Sequence, residues 1–167
     1  MPADQPLARR YDLLVLDYAG VCTPSHAEFA QRSTLATSET DERPGCLPVI
    51  RLAHSLGLTV VVLSNEIDPA WIERSSALSA VDHVIACTDN GILKPDRRAF
   101  QRALLLTNCA ADRSLVVDDA IDNVRGAQAA GLTAILFDTT DADASWASVT
   151  QALVADPDVT RGQQQSG

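Results

Sequence analysis

Asp17, Ser64-Asn65, Lys94 and Asp118-Asp119 have one thing in common. Each closes an apolar run or lies in the turn that follows one. Polar residues that end a strand often serve only as helix caps or surface turns. Four such signals at one sheet edge, however, bring together groups whose chemistry is coherent. Three carboxylates in one cleft repel one another and call for a cation. An oxygen-only ligand set points to Mg²⁺, which keeps several waters and takes one or two carboxylates together with a substrate phosphate. Asp17 is placed to act as a covalent carboxylate nucleophile. Ser64 and Asn65 offer polar donors to phosphoryl oxygens, and Lys94 offers a point charge. Moving a phosphoryl group depends mainly on such positioning and charge neutralisation.

The elements that must position these groups follow from the apolar pattern. The run from Leu13 to Leu16 shows no polar alternation, as expected of a strand covered on both faces. It ends at Asp17 and a tight turn containing Gly20. Residues 48–56 read as a helix, with Val49, Leu52, Ala53 and Leu56 on one face and Gly57 as its stop. Residues 58–63 form the second strand. Asp68-Pro69 reads as an N-cap with Pro at N1, opening a helix to about Ser79. Residues 83–87 form a third strand, and Pro95 suits the first turn of the helix carrying Phe100, Ala103, Leu104 and Thr107. Residues 114–117 form the fourth strand, residues 121–130 a helix ended by Gly131, and residues 133–137 the fifth strand. Ser145 is expected to cap a last helix over 146–154. Strands alternating with helices predict an α/β fold with a doubly wound, parallel five-stranded sheet and right-handed crossovers. In such sheets, ligands bind beyond the carboxyl ends of the strands.

Length and composition limit the rest. The chain has 167 residues, is 46% hydrophobic and carries a net charge of −9, which suits one globular domain. The organisation expected is a lead-in over 1–10, one α/β domain over 11–155 and a flexible tail over 156–167. Residues 21–45 read as a polar loop or minimal cap, with a short helix over 26–32 and no room for a folded cap domain. The acidic balance argues against nucleic acid and anionic membrane as partners. No apolar run approaches the roughly 20 residues that span a bilayer. The polar first twelve residues show no signal-peptide pattern, so the compartment expected is the cytoplasm. Cys22, Cys46, Cys87 and Cys109 form no CxxC pair and read as reduced, mostly buried thiols.

In order, the segments LVLDYAGV, VVLSN, ILKPD and LVVDDAIDNVRGAQAAGL resemble the haloacid dehalogenase (HAD) superfamily over about residues 12–138. K-P-D followed by D-D-x-x-x-N-x-x-x-A-x-x-A-G is similar to its phosphatase-like branch. The resemblance implies a Rossmann-like sheet in the order 5-4-1-2-3, with Asp17 as nucleophile and Mg²⁺ ligand and Ser64 and Lys94 as phosphate binders. It further implies Asp119 as a direct metal ligand, Asp118 acting through a water, the Ala19 backbone carbonyl as a metal contact, and Asn123 steadying the loop.

Ala19 departs from that pattern. The family's phosphatases carry a second aspartate there, which protonates the leaving group and then activates water. Losing a general acid/base costs roughly 10²–10⁴-fold in rate. Three readings follow. One is a hydrolase for good leaving groups, or one using another base such as His26, Glu28 or Glu66. Another is a different family reaction, although carbon–phosphorus cleavage lacks its cap lysine here and dehalogenation lacks its tyrosine at the right spacing. The last is a weak or inactive protein kept for binding or scaffolding. The open cleft suits a macromolecular or carrier-tethered substrate, or closure by a second copy in a homodimer; the partner expected is a phosphorylated small molecule or such a tethered substrate, and a small molecule held by residues 21–45 alone would count against the open-cleft reading. Among the other residues, His54 is expected near the surface. His83, Tyr18, Trp71 and Trp146 are expected to pack.

Overall fold

In the computed structural model, which describes residues 9–25, 27–28 and 42–155, every residue of β1 (Leu13–Leu16) is buried. β1 pairs in parallel with β2 (Thr59–Ser64) on one side and β4 (Ser114–Asp118) on the other. β3 (His83–Ala86) and β5 (Thr133–Leu136) form the edges, giving the order β3-β2-β1-β4-β5. Read from the other edge, this is the expected 5-4-1-2-3.

Alternation along the strands explains why β1 needs apolar residues throughout. Leu14 and Leu16 join Val60, Val62, Leu115 and Val117 in one core, under α1 (Cys46–Ser55) and α6 (Ala142–Val154). Leu13 and Val15 face the opposite way. They pack with Val61, Leu63 and Val116 beneath Phe100 and Ala103 of α4 (Arg97–Thr107) and Ala127 of α5 (Ile121–Ala129). Helices on both faces bury the central strands β1, β2 and β4 almost completely, while the edge strands β3 and β5 stay partly exposed.

Several boundaries differ from the sequence reading. The helix expected from Pro69 to Ser79 is two pieces, α2 (Pro69–Arg74) and α3 (Ser76–Ala80). Ser75 breaks it because its backbone is extended and its Oγ caps the Leu78 N–H at 3.0 Å. That hydroxyl in turn donates to Glu42 Oε1 at 2.6 Å, and Glu42 also accepts from the Ala77 N–H at 2.8 Å. The last helix begins earlier than expected. Asp141, not Ser145, caps it, accepting from the Ala144 N–H at 3.1 Å. Ser145 lies inside the helix, where its Oγ accepts from the Asp138 N–H at 2.9 Å. Pro95 lies before α4 rather than in its first turn, and Asp96 is the cap, accepting from the Arg98 N–H at 2.9 Å.

The Asp68-Pro69 start is as expected, with Asp68 accepting from the Ala70 N–H. Gly57 ends α1 with φ +78°, donating to the His54 carbonyl at 2.9 Å. His83 is exposed rather than packed. His54 sits at the surface, 3.1 Å from Asp82. Tyr18 is buried and stacks on Trp71, their centroids 5.9 Å apart, and Trp146 meets Phe137 edge-on. All four cysteines are free thiols, three of them buried. Most of the helix expected over 26–32, together with the tail over 156–167, lies outside the described residues.

Candidate active site

The ladder continues one residue past β1, because the Asp17 N–H donates to the Val117 carbonyl at 2.9 Å. That bond fixes Asp17 at the mouth of the sheet. The chain then folds back in a tight turn. The Cys22 and Thr23 N–H groups both donate to the Tyr18 carbonyl, and the Gly20 N–H donates to the Thr23 carbonyl. Gly20 has φ +96°, and a Cβ there would run into the Asp119 carboxylate. The turn therefore needs glycine twice over, for its backbone and for the room given to Asp119.

Asp17 is only 8% exposed. Its Oδ1 accepts from the Tyr18 N–H at 2.8 Å and lies 2.9 Å from Lys94 Nζ. Lys94 Nζ also donates to Asp118 Oδ2 at 2.6 Å. Asp118 is held from all sides: Asn123 Nδ2 donates to both of its oxygens at 2.9 and 3.1 Å, and the Ala120 N–H donates to Oδ1 at 2.9 Å. Asp17, Asp118 and Asp119 each place an oxygen within 4.8 Å of the others.

The lysine loop is tied to β2 by an amide clamp. The Lys94 N–H donates to Asn65 Oδ1 at 2.7 Å, and Asn65 Nδ2 donates to the Lys94 carbonyl at 3.1 Å. The side chain of Asn65 thus positions Lys94 instead of facing the cleft. Ser64, buried at the end of β2, donates its hydroxyl proton to the Glu66 carbonyl at 2.8 Å. A phosphate in the cleft would have to draw that single proton away.

The electrostatics are unbalanced. Burial pushes Asp17 up to about 7, against the pull of Lys94 and with a further push from Asp118. Burial, then Asp118, also raises Asp119. Burial works against the Lys94 ammonium, but its two carboxylate neighbours outweigh it and its pKa rises. One ammonium faces three carboxylates. The surplus is negative, the ligands are all oxygen, and the group of atoms is tight. This set fits a hard divalent cation.

Arg43 is a residue that sequence reasoning missed. It is 9% exposed. Its Nε donates to the Gly20 carbonyl at 3.0 Å, and its Nη2 donates to both Glu28 oxygens at 2.9 and 2.7 Å. Its guanidinium lies 5.6 Å from the Phe137 ring centroid. One side chain thus joins the turn after Asp17, the start of the polar loop and the residue that follows β5. No local signal marks it, since Gly20 is 23 residues away and Glu28 is 15. Glu28 is consequently engaged. Burial pushes its carboxyl up, but the Ser25 N–H and Arg43 outweigh this and hold it below the usual carboxylate range.

Arg43→Met is expected to lower stability by about 2 kcal/mol, because Gly20 and Glu28 lose a charged donor while Glu28 can still turn to water. Urea denaturation would measure it, and an unchanged midpoint would show that the clamp is not structural. His26 lies outside the described residues, and the Glu66 side chain is exposed.

Comparison with known proteins gives one consistent picture. The family model described as haloacid dehalogenase-like hydrolase matches residues 24–131. That stretch contains Ser64, Lys94, Asp118 and Asp119 and begins after Asp17. A phosphatase of Mycobacterium tuberculosis (strain CDC 1551 / Oshkosh) is 33% identical over 99 residues, covering 57% of this chain and 46% of that protein. The match thus spans less than half the length of that curated relative. An uncharacterized protein from Corynebacterium glutamicum is 26% identical with a TM-score of 0.62, covering 83% of this chain and 94% of that one. A HAD-superfamily hydrolase from Ehrlichia chaffeensis shares the fold, with a TM-score of 0.63 at 12% identity, covering 85% of this chain and 97% of that one.

Proposed function

Because this chain belongs to the haloacid dehalogenase-like hydrolase family, we propose that it is a phosphatase-like hydrolase that attacks a phosphate-bearing substrate with Asp17. The observation that carries this reading is the buried Asp17 carboxylate at the end of the central strand. It is paired with Lys94 at 2.9 Å and lies within 4.8 Å of two further aspartates. Tyr18 N–H and Lys94 both engage Oδ1, so Oδ2 is the oxygen we assign to attack. Lys94 orients the carboxylate and would carry its charge toward the phosphoryl oxygens. Ser64 and the backbone after it would meet the remaining oxygens. Asn123 and the Ala120 N–H hold Asp118 still, so that Lys94 cannot swing away from the cleft.

Asp17, Asp119 and the Ala19 carbonyl would hold Mg²⁺ directly, with Asp118 acting through a water. The metal supplies charge neutralisation for the transferring group. The substrate class that fits is a phosphorylated small molecule or a carrier-tethered phosphate, and a second copy of the chain is a candidate for closing the cleft. Ala19 favours slow turnover of ordinary alkyl esters, because no carboxyl stands at that position to protonate the alcohol.

Metal binding is testable without turnover. Asp17 has its folded pKa raised, so its contribution to stability is present below 3.8 and is lost as pH rises toward about 7. Metal-free protein is therefore expected to lose stability across that window. Mg²⁺ is expected to restore it at pH 8 in the wild type and much less in Asp119→Asn. Hydrolysis of an activated aryl phosphate is expected to require the same metal. A denaturation midpoint at pH 8 that ignores Mg²⁺, together with metal-independent turnover, would overturn this reading.

A further inference from the structure

We infer that a cavity between α1 and the α2–α3 corner is a second ligand site, which takes a small phosphate monoester carrying an ammonium group. Arg51 and Arg74 would hold the phosphate, and Glu73 the ammonium. The inference does not rest on the role proposed for Asp17.

The cavity has a volume of about 430 Å³, which suits a small molecule. α1 contributes Arg51, the end of α2 contributes Glu73 and Arg74, and Ser75, Ser76 and Ser79 complete the polar wall. Its lining shares no residue with the set Asp17, Ser64, Lys94, Asp118 and Asp119. The corner is held from behind. Ser75 is buried, accepts from the Leu78 N–H and gives its hydroxyl proton to Glu42, while Trp71 of α2 stacks on Tyr18.

The charges in this wall are unspent. Arg9, Arg43, Arg98, Arg113 and Arg125 each have a carboxylate partner. Arg51, Arg74 and Glu73 have no ion pair among the described residues, although all three line one cavity and are exposed to solvent. Two guanidiniums at one cavity repel each other, and a shared dianion relieves that repulsion. The guanidinium fork matches phosphate oxygens in pairs. Glu73 opposes a second anionic group and favours a cationic one. Two positive charges and one negative thus meet their complement in a phosphate dianion joined to an ammonium. The serines divide in the same way. Ser75 has no proton left to give, and Ser79 donates its own to the Ile72 carbonyl at 3.2 Å. The Ser76 hydroxyl has no hydrogen bond among the described residues and is free to donate to a phosphate oxygen.

The test titrates the isotope-labelled full chain, without Mg²⁺, with O-phosphoethanolamine, inorganic phosphate and sodium chloride at matched ionic strength, and follows backbone amide shifts by NMR. Saturable shifts are expected at Ser76 and Ser79 with both phosphates and not with chloride, with O-phosphoethanolamine binding the tighter. Arg51→Gln and Arg74→Gln are each expected to weaken both phosphates by roughly tenfold or more. Glu73→Gln is expected to abolish the preference for O-phosphoethanolamine. These side chains are exposed, so the variants are expected to fold, and an unchanged amide spectrum away from the cavity would confirm it. Shifts confined to Gly20 and Ala120 in the cleft, shifts reproduced by chloride, or binding undiminished in the arginine variants would overturn the inference. Equal affinity of wild type for the two phosphates would overturn the ammonium-bearing ligand. Each of these results leaves the reading of Asp17 as it stands.

Discussion

Asp17→Asn is expected to lower aryl phosphate hydrolysis by roughly 10⁴-fold or more while leaving the fold intact. The substitution keeps the shape of the side chain. An asparagine oxygen can still accept from the Tyr18 N–H and from Lys94, which retains Asp118 as its charged partner. What disappears is the proposed nucleophile. A buried carboxylate pushed up to about 7 is a cost that the folded chain bears at neutral pH. Its removal is expected to leave stability at pH 8 unchanged or raised by about 1–2 kcal/mol. The loss of stability between 3.8 and about 7 should flatten as well. Hydrolysis assays paired with urea denaturation at pH 5 and pH 8 would check both halves. Activity within tenfold of wild type would remove Asp17 from the mechanism.

Lys94→Met is expected to be the most destabilising change in the site, by roughly 3–5 kcal/mol at pH 8. The lysine is 5% exposed and bridges Asp17 and Asp118 at 2.9 and 2.6 Å. Methionine fills the volume but leaves two buried carboxylates facing each other, with Asp119 close by. Protonation is the way such a cluster relaxes. Without Lys94, the folded pKa of Asp17 rises further. The missing stability should therefore be partly recovered on acidification to pH 5 and should return to full deficit as the carboxylates ionise. Denaturation midpoints across that range would follow it. A deficit below about 1 kcal/mol at pH 8 would mean that the ammonium is not what keeps these carboxylates together. Mg²⁺ held as proposed would rescue the variant only in part, since it would neutralise Asp17 and Asp119 but could not replace the bond to Asp118.

The strand ends were legible because the signals are local. An apolar run stopped by Asp17, another by Ser64-Asn65 and a third by Asp118-Asp119 declare both the strand and the polar group at its end. The sheet order followed from the family resemblance and is the order observed. Helix ends were read less well wherever two candidate caps competed. Asp141 and Ser145 both suit an N-cap, and the choice depended on Ser145 finding Asp138 to bind instead. The break at Ser75 depended on Glu42, which is 33 residues away and has no signature of its own. Arg43 stayed hidden for the same reason, because every group that gives it meaning is distant in the chain. Asn65 stands out in the sequence as a polar residue just after β2 and reads as a phosphate donor, but nothing local shows that its amide clamps the Lys94 loop instead.

Lys94 is the only lysine in these 167 residues. The chain therefore carries one ε-amine, and that amine is buried between two carboxylates in the cleft. Acylating reagents that label surface lysines on other proteins find no surface lysine on this one. Any ε-amine labelling reports directly on the opening of the cleft at that one residue, without a probe having to be engineered in. The same scarcity means that amine-directed cross-linkers and resins, used routinely to immobilise proteins, would act at the amino terminus or else destroy the site. Arginine carries the surface positive charge here, which leaves lysine chemistry as a private channel into the cleft.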